Sequence, residues 1–326
     1  MLHFAQVLSL LNNQHYVSGE ALAQHFDVTR ATIHNCIARI ESLGITVQRV
    51  RGLGYRLTYP QDWLNSTEIK QQLPKHLANR IVHFECLPEV DSTNRYAASL
   101  PLPKTGKFSV VLAEMQTAGK GRRGRVWVSP YAANIYLSLL WPIQRPMHEA
   151  GVLSPLLAIS MLKALTELGM TGLSLKWPND LYCNNKKLAG LLMECSGEVN
   201  GGYKMVVGMG VNVLMTQLEN INIDQQWTDI VSQTPDWTHT RNDVAAELIH
   251  QAVTSLMAFE KNTYGNIANA WSRWDMMKNQ KVQLRTSQSI QTGIARGIDA
   301  QGCLLLETSK GLQVISAGDV SLRANP

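Results

Sequence analysis

Apolar spacing divides this chain into three stretches that no single secondary-structure period can serve, and that division most constrains the fold. The first stretch is helical. HFAQVLSLL has helical apolar spacing, and SGEALAQHF opens on Ser18, a good N-cap residue. TRATIHNCIARIESLG opens on Thr29 as a cap and stops at Gly44, with Ile33, Ile37, Ile40 and Leu43 along one face. Asp27 and Val28 supply the tight turn before it. ITVQRVRGLGYRLTYP then reads as two β runs around Gly52–Leu53–Gly54, a hairpin. Three helices followed by a hairpin predict a winged helix-turn-helix over residues 1–62.

The second stretch, 63–273, is mixed. RIVHFECL, FSVVLAEM, NIYLSLLW and YKMVVGMGVNVL read as strands. SPLLAISMLKALTELG reads as a buried helix ended by Gly169, and RNDVAAELIHQAVTSLMAFE as an amphipathic one. LSLKWPNDLYCNNKKLAGLLMEC reads as strand, turn, short strand, turn, strand. Hairpin connections outnumber βαβ units, so the expectation is an α+β domain with a mainly antiparallel sheet. The third stretch, 274–326, is all β: QKVQLRT, SIQTGIARGIDAQGCLLLET and LQVISAGDVSLR are short strands split by glycine turns, enough to close a small barrel.

Bulk properties exclude little but point one way. Thirty basic residues against 25 acidic give +5, too mild alone to argue for nucleic acid or membrane. The five cysteines form no CxxC pair and are odd in number, which suits reduced thiols in the cytoplasm better than a disulfide framework. No metal-ligand spacing occurs, so no protein-held metal is expected. The start, MLHFAQVLSLLNNQ, lacks a basic leader and a cleavage site, and no apolar run approaches the length of a membrane span.

Three passages carry chemistry. QTAGKGRRGRVW, Gln116 to Trp127, gathers Lys120, Arg122, Arg123 and Arg125 among three glycines. Glycines let backbone N–H groups approach an anion, and arginines add bidentate contacts to carboxylate or phosphate. No Asp or Glu occurs from Met115 to His148, so these cations lack local partners. The spacing is neither a Walker A loop nor a dinucleotide fingerprint. An anionic ligand, a solvated mobile loop and a nucleic-acid contact all remain open at this point. In KWPNDLYCNNKKLAG, Lys187 precedes the apolar run Leu188–Met193 and could stabilise charge on a transferring group, whereas Asn179 and Lys186 suit turn chemistry and a solvated charge. EVDSTNRYAA places Ser92, Thr93 and Asn94 before a helical segment, the usual setting of an N-cap; with no nearby histidine, Ser92 is no candidate nucleophile.

DSTN, GKGRRGRVW, KWPND, KKLAG and GVN, in that order, resemble the biotin–protein ligases, and the amino-terminal module makes the chain similar to the bifunctional branch that also represses biotin-operon transcription. The resemblance spans nearly the whole chain and implies an SH3-like terminal barrel. It implies that biotin and ATP, with Mg2+, form biotinyl-5′-adenylate, and that biotin then passes to a lysine of the biotin carboxyl carrier protein. By that resemblance Ser92, Thr93, Asn94 and Gln116 bind biotin's ureido ring and its surroundings, and Gly119, Lys120, Gly121 and Arg122 wrap carboxylate and phosphate. It further implies phosphate or loop-ordering contacts from Arg123 and Arg125, packing of Trp127 on adenine or biotin, and close approach at Gly190. Lys187 and Arg122 are implied to be catalytic cations, Asp180 to orient the acceptor lysine, Asn212 to line the nucleotide pocket, and Arg323 to reach the phosphates. One departure stands out: the family loop usually has arginine where this chain has Lys120.

The same resemblance implies operator DNA as a partner, with Thr29, Arg30, Thr32, His34 and Asn35 at the major groove and Arg51 in the wing. It also implies a homodimer formed when ligand orders the loop. Competing readings are a ligase with a vestigial DNA module, a regulator that only senses a carboxylate, and a lipoate or octanoyl transferase relative.

Overall fold

The computed structural model describes residues 2–59, 62–199, 202–215, 223–285, 290–316 and 321–324; for 198, 199, 285 and 321–324 only the backbone is described. Two units separate: residues 1–63 with 130–132, and residues 64–129 with 133–326.

In the first unit, α1 (Phe4–Leu8), α2 (Gly19–His25) and α3 (Arg30–Ser42) precede the hairpin β1 (Val47–Val50) and β2 (Gly54–Leu57). The expected caps form: Ser18 Oγ accepts from Ala21 N at 3.0 Å, and Thr29 Oγ1 from Thr32 N at 3.2 Å. Gly44, at φ 87°, ends α3 where the sequence expects it. Ile33, Ile37 and Ile40 are fully buried with Val7 and Leu22, while Leu43 is half-buried. That burial is what holds so short a set of helices together.

The second unit begins with α4 (Ser66–Gln72), α5 (Lys75–Ala78), β3 (Ile81–Leu87), α6 (Thr93–Ser99), β4 (Phe108–Ala113), β5 (Asn134–Ile143) and α7 (Leu153–Glu167). It continues with β6 (Leu173–Lys176), β7 (Asp180–Cys183), β8 (Lys186–Val199), β9 (Gly202–Asn212), α8 (Ile230–Gln233), α9 (Arg241–Glu260) and α10 (Ile267–Ser272). Its sheet has the order β3-β4-β5-β9-β8-β7-β6; β3 and β4 run parallel with α6 between them, and every other pairing is antiparallel. Alternation along β5 explains how the sheet is used. Ile135, Leu137, Leu139, Trp141 and Ile143 join the large core with α7 and α9, whereas Leu140 packs with Ala97 of α6. Helix α6 is short, so it covers only part of its face, and the uncovered remainder becomes the floor of a cleft.

The stretch Met147–Glu167, including α7, is 21 residues long with a hydropathy of 1.3, long and apolar enough by composition to cross a membrane. This corrects the sequence expectation that no run reaches that length. Its apolar residues are core: Leu153, Leu157, Leu162 and Leu165 are all at most 1% exposed.

The chain ends with β10 (Lys281–Arg285), β11 (Ile290–Ile298), β12 (Leu304–Thr308), β13 (Gly311–Ile315) and β14 (Ser321–Ala324), an antiparallel sheet of order β13-β12-β11-β10-β14. No pairing joins β13 to β14 among the described residues. Val282, Leu284, Ala295, Leu304 and Leu306 belong to the same core as α7 and α9, so this sheet is packed onto the domain before it.

One buried ion pair fixes the root of the basic loop. Arg241 Nη1, at the start of α9, lies 2.7 Å from Glu114 Oε2, just past β4. Glu114 Oε1 accepts from Leu64 N at 2.7 Å. Both side chains are almost wholly buried, and removing one partner of such a pair leaves an uncompensated charge.

Candidate functional site

The uncovered face of the sheet floors a cavity of about 810 Å³. Six cations line it (Lys120, Arg122, Arg123, Arg125, Lys176, Lys187) against two carboxylates, Asp180 and Asp224, among the described residues. That imbalance favours an anionic ligand. The three sequence passages meet here because the segment at Val90–Asp91 runs beside the loop's root: Thr117 N donates to Val90 O at 2.9 Å and Ala118 N to Asp91 O at 2.8 Å. The KWPND turn closes another side, and its Trp177–Pro178 peptide is cis.

The basic loop is a narrow hairpin. Lys120 bridges Val126, Trp127 N donates to Gly119 O at 2.9 Å, and Gly121 N to Arg125 O at 2.7 Å. Arg122–Gly124 forms one 3-10 turn with Arg123 at φ 59° and Gly124 at φ 71°. Gly119 lies outside the cavity lining, packed so closely that a Cβ would stand 2.5 Å from Trp127 O. Arg122 Nη1 reaches Asn179 Oδ1 at 3.4 Å, which ties the loop to the KWPND turn. Lys120, Arg123 and Arg125 are exposed along the rim.

Trp127 lies against the floor. A Cβ at Gly210 would stand 2.5 Å from its Cε2, and one at Gly190 would stand 3.2 Å from its Cζ3. Its Nε1 is buried with no hydrogen-bond partner among the described residues. Lys187 Nζ sits 5.5 Å from the indole ring centroid and 3.0 Å from Asp180 Oδ1, with only 13% of its side chain exposed. Asp180 therefore neutralises Lys187, and an incoming carboxylate or phosphate competes for the same ammonium.

A polar row runs along the opposite end. Gln116 Oε1 accepts from Thr93 N at 2.9 Å, and Gln116 Nε2 donates to Ser129 Oγ at 3.1 Å. Thr93 Oγ1 and Asn94 Oδ1 both meet Ser138 Oγ, at 2.8 and 2.7 Å. Burial pushes the neighbouring Tyr136 phenol far up, so it stays a neutral hydroxyl. Ser92 occupies the N-cap position of α6 but makes no side-chain cap hydrogen bond; it is 3% exposed and lines the cavity, so capping does not occupy its hydroxyl.

Of the residues singled out from the sequence, Ser92, Thr93, Asn94, Gln116, Lys120, Gly121, Arg122, Arg123, Arg125, Trp127, Asp180, Lys187 and Gly190 line this one cavity. Asn212 is not in that lining: its Nδ2 donates to Thr228 O at 2.9 Å. The Arg323 side chain lies outside the described residues. Sequence reasoning underrated Asn179, which is 7% exposed, lines the cavity and donates to Leu191 O. It missed Gly208, whose close contact with Asn94 no local pattern signals.

In the first unit, Arg30, His34 and Asn35 lie exposed on α3, and Arg51 is exposed in the wing turn. Thr29 and Thr32 differ: their hydroxyls pair at 3.0 Å within the cap. Arg49 pairs with Glu41, and Arg56 stacks on Tyr16 at 4.6 Å, so those wing cations are engaged internally.

Fold and cleft together define a class: a ligand-binding α+β module with a cationic, glycine-floored cleft that carries a helix-turn-helix unit. Comparisons with known proteins sharpen this. The model of the biotin/lipoate A/B protein ligase family matches residues 86–212, an HTH domain model residues 5–56, and the biotin protein ligase C terminal domain model residues 279–323. The chain is 35% identical over 322 residues to the bifunctional ligase/repressor BirA of Escherichia coli (strain K12), covering 98% of this chain and 97% of that protein. It is 34% identical over 242 residues to the biotin–[acetyl-CoA-carboxylase] ligase of Paracoccus denitrificans, covering 72% of this chain and 98% of that one. Among solved structures it is similar to the biotin protein ligase from Aquifex aeolicus in complex with biotin and ATP, with a TM-score of 0.64, 27% identity, and coverage of 75% of this chain and all of that one. The chain belongs to the biotin–protein ligase family, in its bifunctional ligase/repressor branch.

Proposed function

We propose that this protein activates biotin with ATP and transfers it to a lysine of the biotin carboxyl carrier protein of acetyl-CoA carboxylase, and that its adenylate-bound form represses the biotin operon. The observation that carries the enzymatic reading is one cavity with a cationic wall at one end and a row of amide and hydroxyl groups at the other. That polarity matches a ligand with a cyclic urea at its head and a carboxylate at its tail.

The working divisions are 1–62 for DNA binding, 63–273 for catalysis and 274–326 for the terminal β domain. In the first step a biotin carboxylate oxygen attacks the α-phosphorus of ATP, the α–β bridging bond breaks, and pyrophosphate leaves. Lys187 and Arg122 stabilise the added charge on carboxylate and phosphoryl oxygens. Lys120, Arg123 and Arg125 hold phosphate oxygens at the rim, and Trp127 covers the ligand and keeps water from the mixed anhydride. Mg2+ would enter with ATP on its phosphates and neutralise their charge; Asp180 and Asp224 are the carboxylates of the described lining that would meet it. In the second step the acceptor amine attacks the biotinyl carbonyl and AMP leaves; Asp180 orients that amine. Both steps take place in the cytoplasm.

Arg30, His34, Asn35 and Arg51 supply the exposed operator contacts, and Thr29 and Thr32 set the start of the recognition helix. Adenylate orders the basic loop, which completes a homodimer surface and raises operator affinity. Incubation with biotin, Mg-ATP and a carrier domain, read by intact mass, tests the enzyme: one added biotin is expected, and none, beside an active control ligase, would overturn the reading. Sedimentation with and without biotinyl-adenylate tests the repressor: a ligand-independent monomer would sink the dimer model.

A further inference from the structure

Glu194 lies one step beyond the cavity on the face of β8 that carries Gly190 and Leu192, and nothing in the chemistry above uses it. Its Oε2 accepts from Asn94 Nδ2 at 2.7 Å, and the same Nδ2 points to Leu192 O at 3.4 Å. A carboxylate and a carbonyl both act as acceptors, so the Asn94 amide has one sensible orientation: Nδ2 toward β8 and Oδ1 toward β5. Gly208 makes the approach available, since a Cβ there would stand 2.2 Å from Oδ1. Asn94 is 5% exposed, and both ends of its amide are engaged within the protein.

The orientation propagates. Asn94 Oδ1 and Ser138 Oγ stand 2.7 Å apart, the shortest oxygen–oxygen contact of the row, so the single Ser138 proton lies between them. The 2.8 Å contact between Ser138 Oγ and Thr93 Oγ1 must then be filled by the Thr93 proton. The remaining approach, Thr93 Oγ1 to Gln116 Oε1, is the longest of the three at 3.1 Å and needs no proton, because Gln116 Oε1 already receives Thr93 N–H. With its proton committed inward, Thr93 Oγ1 presents lone pairs to the cavity.

We infer that Glu194 is a positioning residue for biotin: through Asn94 and Ser138 it fixes the Thr93 hydroxyl as an acceptor, so this end of the cleft selects a ring that presents N–H donors. The inference rests on the ligase reading above. Glu194 touches no reacting atom; it sets which way a buried row of protons points. Because Asn94 and Ser138 are almost fully buried, water cannot randomise that order.

Glu194→Gln is the test. Glutamine offers both a donor and an acceptor, so of the two acceptors that pin Asn94 only Leu192 O, at 3.4 Å, is unchanged. Where the amide turns, Ser138 donates to Thr93 Oγ1 and the Thr93 proton goes to Gln116 Oε1, leaving one lone pair where two faced the ligand. In biotin-dependent ATP–pyrophosphate exchange the KM for biotin should rise about tenfold, the scale of one mispaired buried hydrogen bond, with kcat and the KM for ATP within about twofold. Glu194→Asp, which keeps a carboxylate, should restore most of the loss. In a Ser138→Ala background, where the row is cut, Glu194→Gln should add nothing. An unchanged biotin KM in Glu194→Gln, an equal rise in the KM for ATP, no recovery with aspartate, or full additivity with Ser138→Ala would each overturn the relay. Absence of exchange in the unaltered chain would instead overturn the ligase reading on which it rests.

Discussion

A single methyl at position 210 is the smallest change that reaches the centre of the cleft. It would lie 2.5 Å from Trp127 Cε2 and 2.7 Å from its Nε1, on a strand paired on both sides, so the strand cannot yield and the indole must. Trp127 also stacks against Lys187, and moving it releases the ammonium from its place beside Asp180. Gly210→Ala should therefore weaken biotin and ATP binding together, by about 10- to 100-fold in KM, the range of overpacking in a tight site. Exchange kinetics with each substrate varied in turn would check this. A variant with ordinary KM values would mean that Trp127 rests on the floor without shaping the site.

At the level of elements, the basic loop is rooted behind β4, beside the buried Glu114–Arg241 pair, and its Arg122 reaches Asn179 of the KWPND turn. The exposed Lys120, paired with Val126 across the hairpin, lacks the planar fork of an arginine. Lys120→Arg should slow release of biotinyl-adenylate by about threefold to tenfold, the gain of one charge-assisted contact becoming two. Stopped-flow dissociation measures it directly. An unchanged rate would show that position 120 acts through its backbone or a single contact.

Across the whole molecule, alkaline stability should depend on β3. Burial, and then the charge of Glu114, push the Cys86 thiol up from its ordinary 9.0 to about 12. A raised thiol pKa means that the folded state keeps a proton the unfolded state releases. The contribution is full below pH 9.0 and is lost as pH rises through about 12. The urea midpoint should fall over that window, and Cys86→Ala should flatten the fall. Parallel curves for the two proteins would place the alkaline loss elsewhere.

The sequence alone determined whatever depends on near neighbours. Ser18 and Thr29 cap the helices they precede, Gly44 ends α3, and the apolar period separates helical, mixed and β regions, because caps, turns and amphipathic faces are set within a few residues. The composition of the basic loop and its lack of nearby acids likewise make an anionic ligand legible from the residues themselves. Only the tertiary structure decided how those pieces act together. The strand order β5-β9-β8 brings Ser138, Gly208 and Glu194 around Asn94, partners up to 100 residues apart. The same order lays Trp127 on Gly210, bonds Asn212 to Thr228, and gives Asn179, in the turn its sequence suggested, a buried link to Leu191 as well. Those roles follow from which strands are neighbours, a choice made by burial of the whole sheet, and no local stretch of the chain encodes it.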